Sequence, residues 1–286
     1  MPIDSNEIKR LKLVSANIRL DVLKTLRKIG YGHLGGSLSI VETLSAIYGK
    51  HLRFDPKNPN WSKRDMVVLS KGHAGPALYS TLANFGFFPK EILETLNAGG
   101  TILPSHPDRT KTPGVDATTG SLGQGTSVAA GLAYGFRLNK TDQVVYLIVG
   151  DGELDEGQCW EAFQFIAHNK LGNCIVFIDV NKKQLDGWTK DIINPFDIAK
   201  KMESFGFKVW KVKGDDEGAI SNAIEECKAQ EWTAVCIVLD TVKGQGVKYF
   251  EDYMDNHSVK FNTDENKKAA DDAIKNLEAF IAKGGV

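Results

Sequence analysis

The chain has 286 residues, 42% of them hydrophobic, enough to bury a substantial core and, for an α/β chain, to form one domain over 1–286. With 35 basic and 36 acidic residues, its formal net charge of −1 gives no electrostatic reason to bind nucleic acid or an anionic membrane. No apolar run approaches the roughly 18 residues of a membrane span. The start, Met1-Pro2-Ile3-Asp4-Ser5, lacks a basic-then-apolar leader. Cys159, Cys174, Cys227 and Cys236 form no Cys-x-x-Cys pair, so a cytoplasmic protein with free thiols is expected.

Apolar residues recur at helical spacing through Ile8, Leu11, Val14, Ile18, Val22 and Leu26, predicting a helix over 7–28 that stops at Gly30. A helix is predicted over 40–52, a short strand over 66–69 and a helix over 74–85. Small apolar residues fill 128–138, which suits close helix packing. Residues 144–149 read as a strand, 156–169 as a helix with apolar Trp160, Phe163 and Ala167, and 174–178 as the next strand. Two further strands, 209–212 and 234–239, flank a helix over 217–228, and a charged helical tail follows Phe261. Alternating elements argue for an α/β fold, a parallel sheet with helices on both faces. No repeat, low-complexity tract or interdomain linker interrupts it.

One unit carries chemistry. Gly150-Asp151-Gly152 breaks an apolar strand where a parallel sheet presents its carboxyl edge, and Asn181 closes the next strand thirty residues later. Both positions therefore fall on one edge. Hard cations such as Mg²⁺ take oxygen donors, and a diphosphate already brings much negative charge, so one carboxylate plus neutral oxygens suffices. Asp151 offers the carboxylate, Asn181 the amide oxygen and Lys183 a backbone carbonyl. Taken alone, Gly-Asp-Gly is more readily a turn and Asn181 a cap; the spacing across a strand–helix–strand unit reverses that preference toward ligands. Gly123-Gln124-Gly125 partly imitates a dinucleotide fingerprint, but no strand is expected before it and the third glycine is missing.

The segment from Gly150 to Asn181 resembles the thiamine diphosphate (TPP) motif, and its surroundings resemble transketolase. The blocks Tyr31-Gly32-His33-Leu34-Gly35-Gly36-Ser37, Ser70-Lys71-Gly72-His73-Ala74-Gly75, Leu103-Pro104-Ser105-His106-Pro107-Asp108 and Thr118-Thr119-Gly120-Ser121-Leu122-Gly123-Gln124-Gly125 follow in the order that transketolases use. The resemblance implies the family's diphosphate-binding (PP) domain. It implies that His33, His73 and His106 surround the thiazolium and the sugar, and that His73, Gly120, Ser121, Leu122, Asp151, Gly152, Glu153 and Asn181 bind the cofactor. Asp151, Asn181 and Lys183 would hold Mg²⁺, with Ca²⁺ or Mn²⁺ as substitutes. His257 is carried over as a fourth catalytic histidine although Asp255-Asn256-His257-Ser258 departs from the family's histidine–glycine pair. His51 and His168 match no block.

Glu156 and Glu161 lie five apart on one predicted helix, and from the residues alone they are an ordinary charged face, with Glu153 beside them solvated. The resemblance implies instead that Glu156 and Glu161 join a hydrogen-bonded network across a subunit interface to an activating glutamate of a second, pyrimidine-binding (Pyr) domain. The sequence stops at Val286 without such a domain. The expectation is the N-terminal subunit of a split transketolase, moving a two-carbon ketol unit between sugar phosphates. A C-terminal Pyr-domain subunit would be its partner, and self-association would give a heterotetramer. Pentose-phosphate metabolism is the default setting, with a specialised sugar pathway open. The alternatives are a piece of a related enzyme such as a deoxyxylulose-phosphate synthase, whose family lacks the Thr-Thr-Gly-x-Leu-Gly-Gln-Gly form, and a TPP-binding scaffold without activity.

Overall fold

The structure, a computed structural model, describes residues 3–285; Met1 and Pro2, on which the expectation of no basic-then-apolar pattern partly rests, and Val286 lie outside the described residues. Five strands pair in parallel in the order β1-β2-β3-β5-β4: β1 Met66–Leu69, β2 Val145–Gly150, β3 Cys174–Val180, β4 Lys208–Lys213 and β5 Val235–Asp240. Every residue of β2 is buried, as a strand covered on both faces requires. Strand alternation then divides the core. Tyr146, Ile148, Ile175 and Phe177 face α1 (Ser5–Ile29), α2 (Val41–Ala46), α3 (Gly75–Asn84), α7 (Glu217–Lys228) and α8 (Asp264–Ala282). Val145, Leu147, Val149, Cys174 and Val176 face α4 (Gln124–Leu138), α5 (Gly157–His168) and α6 (Ile198–Ser204). The four cysteines are free and buried.

Local signals account for the boundaries. Asp4 caps α1 by accepting the Glu7 N–H, and Gly30, left-handed at φ 88°, closes it. The expected helix over 40–52 is shorter. It ends at Ala46 and widens into a π-helical turn, Ile47–His51. The wider turn lays Gly49 against α1, where a Cβ would meet the Leu11 side chain at 2.7 Å. The charged tail is docked: α8 buries Ala270 and pairs Asp271 with Arg27 at 2.9 Å and Glu278 with Lys24 at 2.6 Å. The small-residue face of α4 packs less than expected, for Gly131 and Gly135 have open space where a Cβ would stand and Leu138 is exposed.

The π-turn delivers His51 into the core, Nε2 lying 2.7 Å from the buried Ser221 hydroxyl. Its Nδ1 is 3.1 Å from Glu225 but off line for a hydrogen bond. Burial first, then Lys228 and Lys50, pushes the His51 pKa down to about 3. The unfolded chain binds this proton below about 6.5 while the folded chain does not, so stability is intact above that value and erodes as pH falls toward the folded pKa. At pH 5.5 the loss from His51 is expected to be about 1.4 kcal/mol. Urea denaturation at pH 7.5 and 5.5 checks this: His51→Gln, which cannot titrate, should lack that part of the acid sensitivity.

Candidate active site

β2 and β3 end side by side with Gly150 opposite Asp179, so the loops beyond them meet at the carboxyl edge. The Asp151 carboxylate is buried and accepts the N–H of Gly152 at 2.9 Å and of Lys182 at 2.6 Å. Lys182 reaches it from a left-handed φ of 71°, which folds the loop back between its neighbours. Asn181 donates its amide N–H to Asp179 at 2.8 Å. A carboxylate here only accepts, so this contact fixes the amide and turns its oxygen the other way. The Lys183 carbonyl accepts from the ammonium of Lys243 at 3.0 Å. The Asn181 oxygen accepts the Lys183 N–H at 3.2 Å, so the loops at this edge carry three unlike oxygen donors, a carboxylate, an amide oxygen and a carbonyl. Among the described residues, no three His, Cys, Asp or Glu side chains converge to hold a metal.

The donors fit a divalent cation. A buried positive charge, Lys243, already rests on the Lys183 carbonyl. Burial, then the charge of Asp179, pushes the Asp151 carboxyl up to about 7, so a cation bound beside it would offset the cost of its buried negative charge.

Four histidines converge beside this loop. Measured between ring centroids, His33 lies 5.9 Å from His73, 5.4 Å from His106 and 5.4 Å from His257, and His73 lies 4.7 Å from His257. A two-residue ladder explains the pairing of chain ends: Tyr31 and Gly32 run antiparallel to Lys260 and Val259. Bare backbone admits the rings. A Cβ on Gly36 would meet His73 Nε2 at 2.9 Å, and one on Gly120 would meet His106 at 3.3 Å. Thr119 fastens the loops together, its hydroxyl donating to Leu69 O at 2.7 Å and its N–H to Pro107 O at 3.1 Å.

Burial lowers the pKa of all four rings, with Lys243 adding to the effect at His33, His73 and His257, and His257 falls to about 3. Neutral imidazoles at pH 7 both accept and donate. Lys243 joins the two halves of the site: its ammonium also lies 3.1 Å from His257 Nδ1, which leaves the ring proton on Nε2.

The structure corrects two expectations. Glu153 is not solvated. It is buried, and its carboxylate accepts from the Ser70 hydroxyl at 2.5 Å, Gly123 N–H at 2.8 Å and Gly150 N–H at 3.0 Å, because three loops turn unpaired donors toward it. Glu156 is not in the helix as expected but exposed and extended at its N-cap, and Glu161 is exposed within α5; neither has a side-chain partner among the described residues. Gly120 and Leu122 are half-buried and Ser121 is exposed, in a loop that runs without a strand into α4. The dinucleotide reading fails there, as expected. His51 lies in the core and His168 on the surface, both away from the cluster.

Three residues escaped the sequence reading. Lys71, fully buried, pairs with the fully buried Asp179 at 2.5 Å, and Lys243 is buried beside them. Burial would raise the Asp179 pKa, but Lys71 outweighs it and holds the carboxylate below its usual range. An acid inside an apolar strand and two lysines in glycine-bearing turns were the available signal.

The sequence matches the family described as "Transketolase, thiamine diphosphate binding domain" over residues 10–276. It is 46% identical over 254 residues to the 6-deoxy-6-sulfo-D-fructose transketolase subunit SqwG of a Clostridium species, which covers 88% of this chain and 92% of that protein. It is 39% identical over 220 residues to one of the subunits of the apulose-4-phosphate transketolase of Actinobacillus succinogenes, covering 77% and 79%. The crystal structure of transketolase from Campylobacter jejuni superposes with a TM-score of 0.81 at 27% identity, covering 96% of this chain and 48% of that one. The chain thus spans about half the length of that enzyme. Agreement along nearly its whole length, including with relatives of similar size, means that the chain belongs to the thiamine diphosphate-binding domain family of transketolases.

Proposed function

We propose that the chain is the N-terminal, diphosphate-binding subunit of a two-component transketolase, which with a C-terminal Pyr-domain subunit moves a two-carbon ketol unit from a ketose phosphate to an aldose phosphate. The observation that carries this reading is the set of four neutral histidines joined through Lys243 to the Asp151–Asn181–Lys183 edge. Asp151, the Asn181 oxygen and the Lys183 carbonyl would hold Mg²⁺, or Ca²⁺ or Mn²⁺ in its place, and through it the diphosphate of TPP. Bound there, the coenzyme supplies the carbanion chemistry that breaks and remakes a carbon–carbon bond. The chain's part is to orient and to move protons. His33, His73, His106 and His257 present ring nitrogens that hold sugar hydroxyls and exchange their protons. Gly120, Ser121, Leu122 and Gly152 line the coenzyme's side, and Glu153 keeps their loops in register.

Glu156 and Glu161, exposed and unpartnered here, are left for an interface with the partner subunit, and self-association of the pairs gives a heterotetramer. The names of the relatives support a donor ketose that ends in an anionic group, a phosphate or a sulfonate. Reconstitution tests the whole. The isolated chain is expected to show negligible ketol transfer, and adding a Pyr-domain subunit, TPP, Mg²⁺ and a ketose from a panel of xylulose 5-phosphate, apulose 4-phosphate and 6-deoxy-6-sulfofructose should restore it. Full activity without a partner would refute the split arrangement. His73→Ala in the complex should cut transfer by about 10²- to 10⁴-fold and leave coenzyme affinity largely intact; an inert scaffold would show no functional change.

A further inference from the structure

A second cavity lies at the opposite pole of the sheet. It is an open cleft of about 720 Å³, within the usual range for small-molecule sites, at the point where β2, β3 and β5 begin, beside Val144, Gly172, Asn173 and Trp232. A six-residue strand is about 20 Å long, so this mouth is about that far from Asp151 at the other end of β2.

Charge in the cavity is uneven in a specific way. Of its acids, Asp65 and Asp142 are both taken by Arg53, at 2.8 and 2.7 Å, and Glu231 is exposed on the rim. The other three cations, Arg137, Lys140 and Lys228, have no carboxylate within ion-pair distance among the described residues. Two of them are held in place by neutral groups. The Arg137 guanidinium donates to the carbonyls of Asn169 and Lys170 and stacks over the Trp232 ring, 4.1 Å from its centre. Lys228 donates to the His51 carbonyl at 3.0 Å, and burial lowers its pKa, with Glu225 and Asp65 only partly opposing. Carbonyls fix these charges without neutralising them. The wall is closely packed at one point: a Cβ on Gly172 would stand 2.0 Å from the Gln230 carbonyl, so the turn that carries Trp232 packs directly on the start of β3. Trp232 nevertheless keeps 57% of its surface exposed.

We infer that this cavity binds a small organic anion with a flat ring, of about the size of a nucleoside monophosphate. Arg137, Lys140 and Lys228 supply the pairing charge and Trp232 the stacking surface. None of these residues belongs to the carboxyl-edge site, so the inference stands whether or not the transketolase reading does.

Adenosine monophosphate and inorganic phosphate serve as probes in calorimetric titrations of the full chain at about 0.1 M salt. Saturable uptake of the nucleotide at submillimolar to millimolar concentration is expected, with quenching of tryptophan fluorescence. Inorganic phosphate should bind at least about tenfold more weakly, since it offers charge and no ring. Lys140→Glu alters only an unpaired surface cation and Trp232→Ala an exposed ring, so both should fold. Each should weaken the nucleotide about tenfold or more, and Trp232→Ala should also abolish the quenching. Lys228→Gln should weaken both probes. Absence of saturable nucleotide binding, or binding that survives both Lys140→Glu and Trp232→Ala unchanged, would overturn the assignment.

Discussion

Asp151→Ala is expected to abolish magnesium-dependent uptake of thiamine diphosphate by the assembled complex, with little loss of folded stability in the metal-free chain. Asp151 is the one carboxylate in the candidate donor set, and the Asn181 and Lys183 oxygens beside it are neutral. Residues that merely orient a metal's ligands cost about 10- to 100-fold in affinity when removed, and deleting the sole anionic donor should exceed that range. Stability is a different matter. The Asp151 carboxylate is buried with no cation within ion-pair distance among the described residues, and it is held only by the N–H groups of Gly152 and Lys182. Removing it loses two hydrogen bonds but also a charge that burial disfavours. Titration of TPP at fixed Mg²⁺ measures the first effect and urea denaturation without metal the second. Unchanged coenzyme uptake would remove the basis for the metal site.

The frame of this molecule was legible because its signals are local. Glycines after the strands at 69 and 149, helical spacing through Leu11, Ile18 and Val22, and apolar runs of strand length placed all five sheet strands to within two residues. His33, His73 and His106 were found by motif, while the block around His257 departs from the family's, and the fold brings all four together from positions 33 to 257. Other features depend on contacts distant in sequence. The π-turn at Ile47–His51 answers to Leu11 on α1, and nothing in the local pattern announces it. Glu153 looked solvated because its neighbours are acidic, yet its partners lie 83 and 30 residues away in Ser70 and Gly123. Lys243 was invisible for the same reason: it links Lys183 to His257, a pairing that only the folded edge creates.

The largest cost to stability is expected from Lys71→Met. Lys71 and Asp179 are both fully buried, 2.5 Å apart, and joined to the candidate donor loop through Asn181. Breaking a buried pair by removing one partner typically costs about 3–5 kcal/mol, because the other charge stays in the interior uncompensated. Here Asp179 would retain three neutral donors, the Ser39 hydroxyl at 2.7 Å, the Asn181 amide at 2.8 Å and the Thr241 hydroxyl, which places the loss toward the lower end of that range. Asp179→Asn in the Lys71→Met background removes the stranded charge and should recover about 1–3 kcal/mol relative to the single variant. With an amide in place of the Asp179 carboxylate, Asn181 is no longer obliged to present its oxygen to a metal, so magnesium affinity should stay low by about 10- to 100-fold even where stability returns. A double-mutant cycle by urea denaturation, run beside calorimetric Mg²⁺–TPP titrations of the complex, separates the two effects. Additive stabilities for the two substitutions would show that the pair is not coupled, and full recovery of magnesium affinity with stability would show that Asp179 does not orient Asn181.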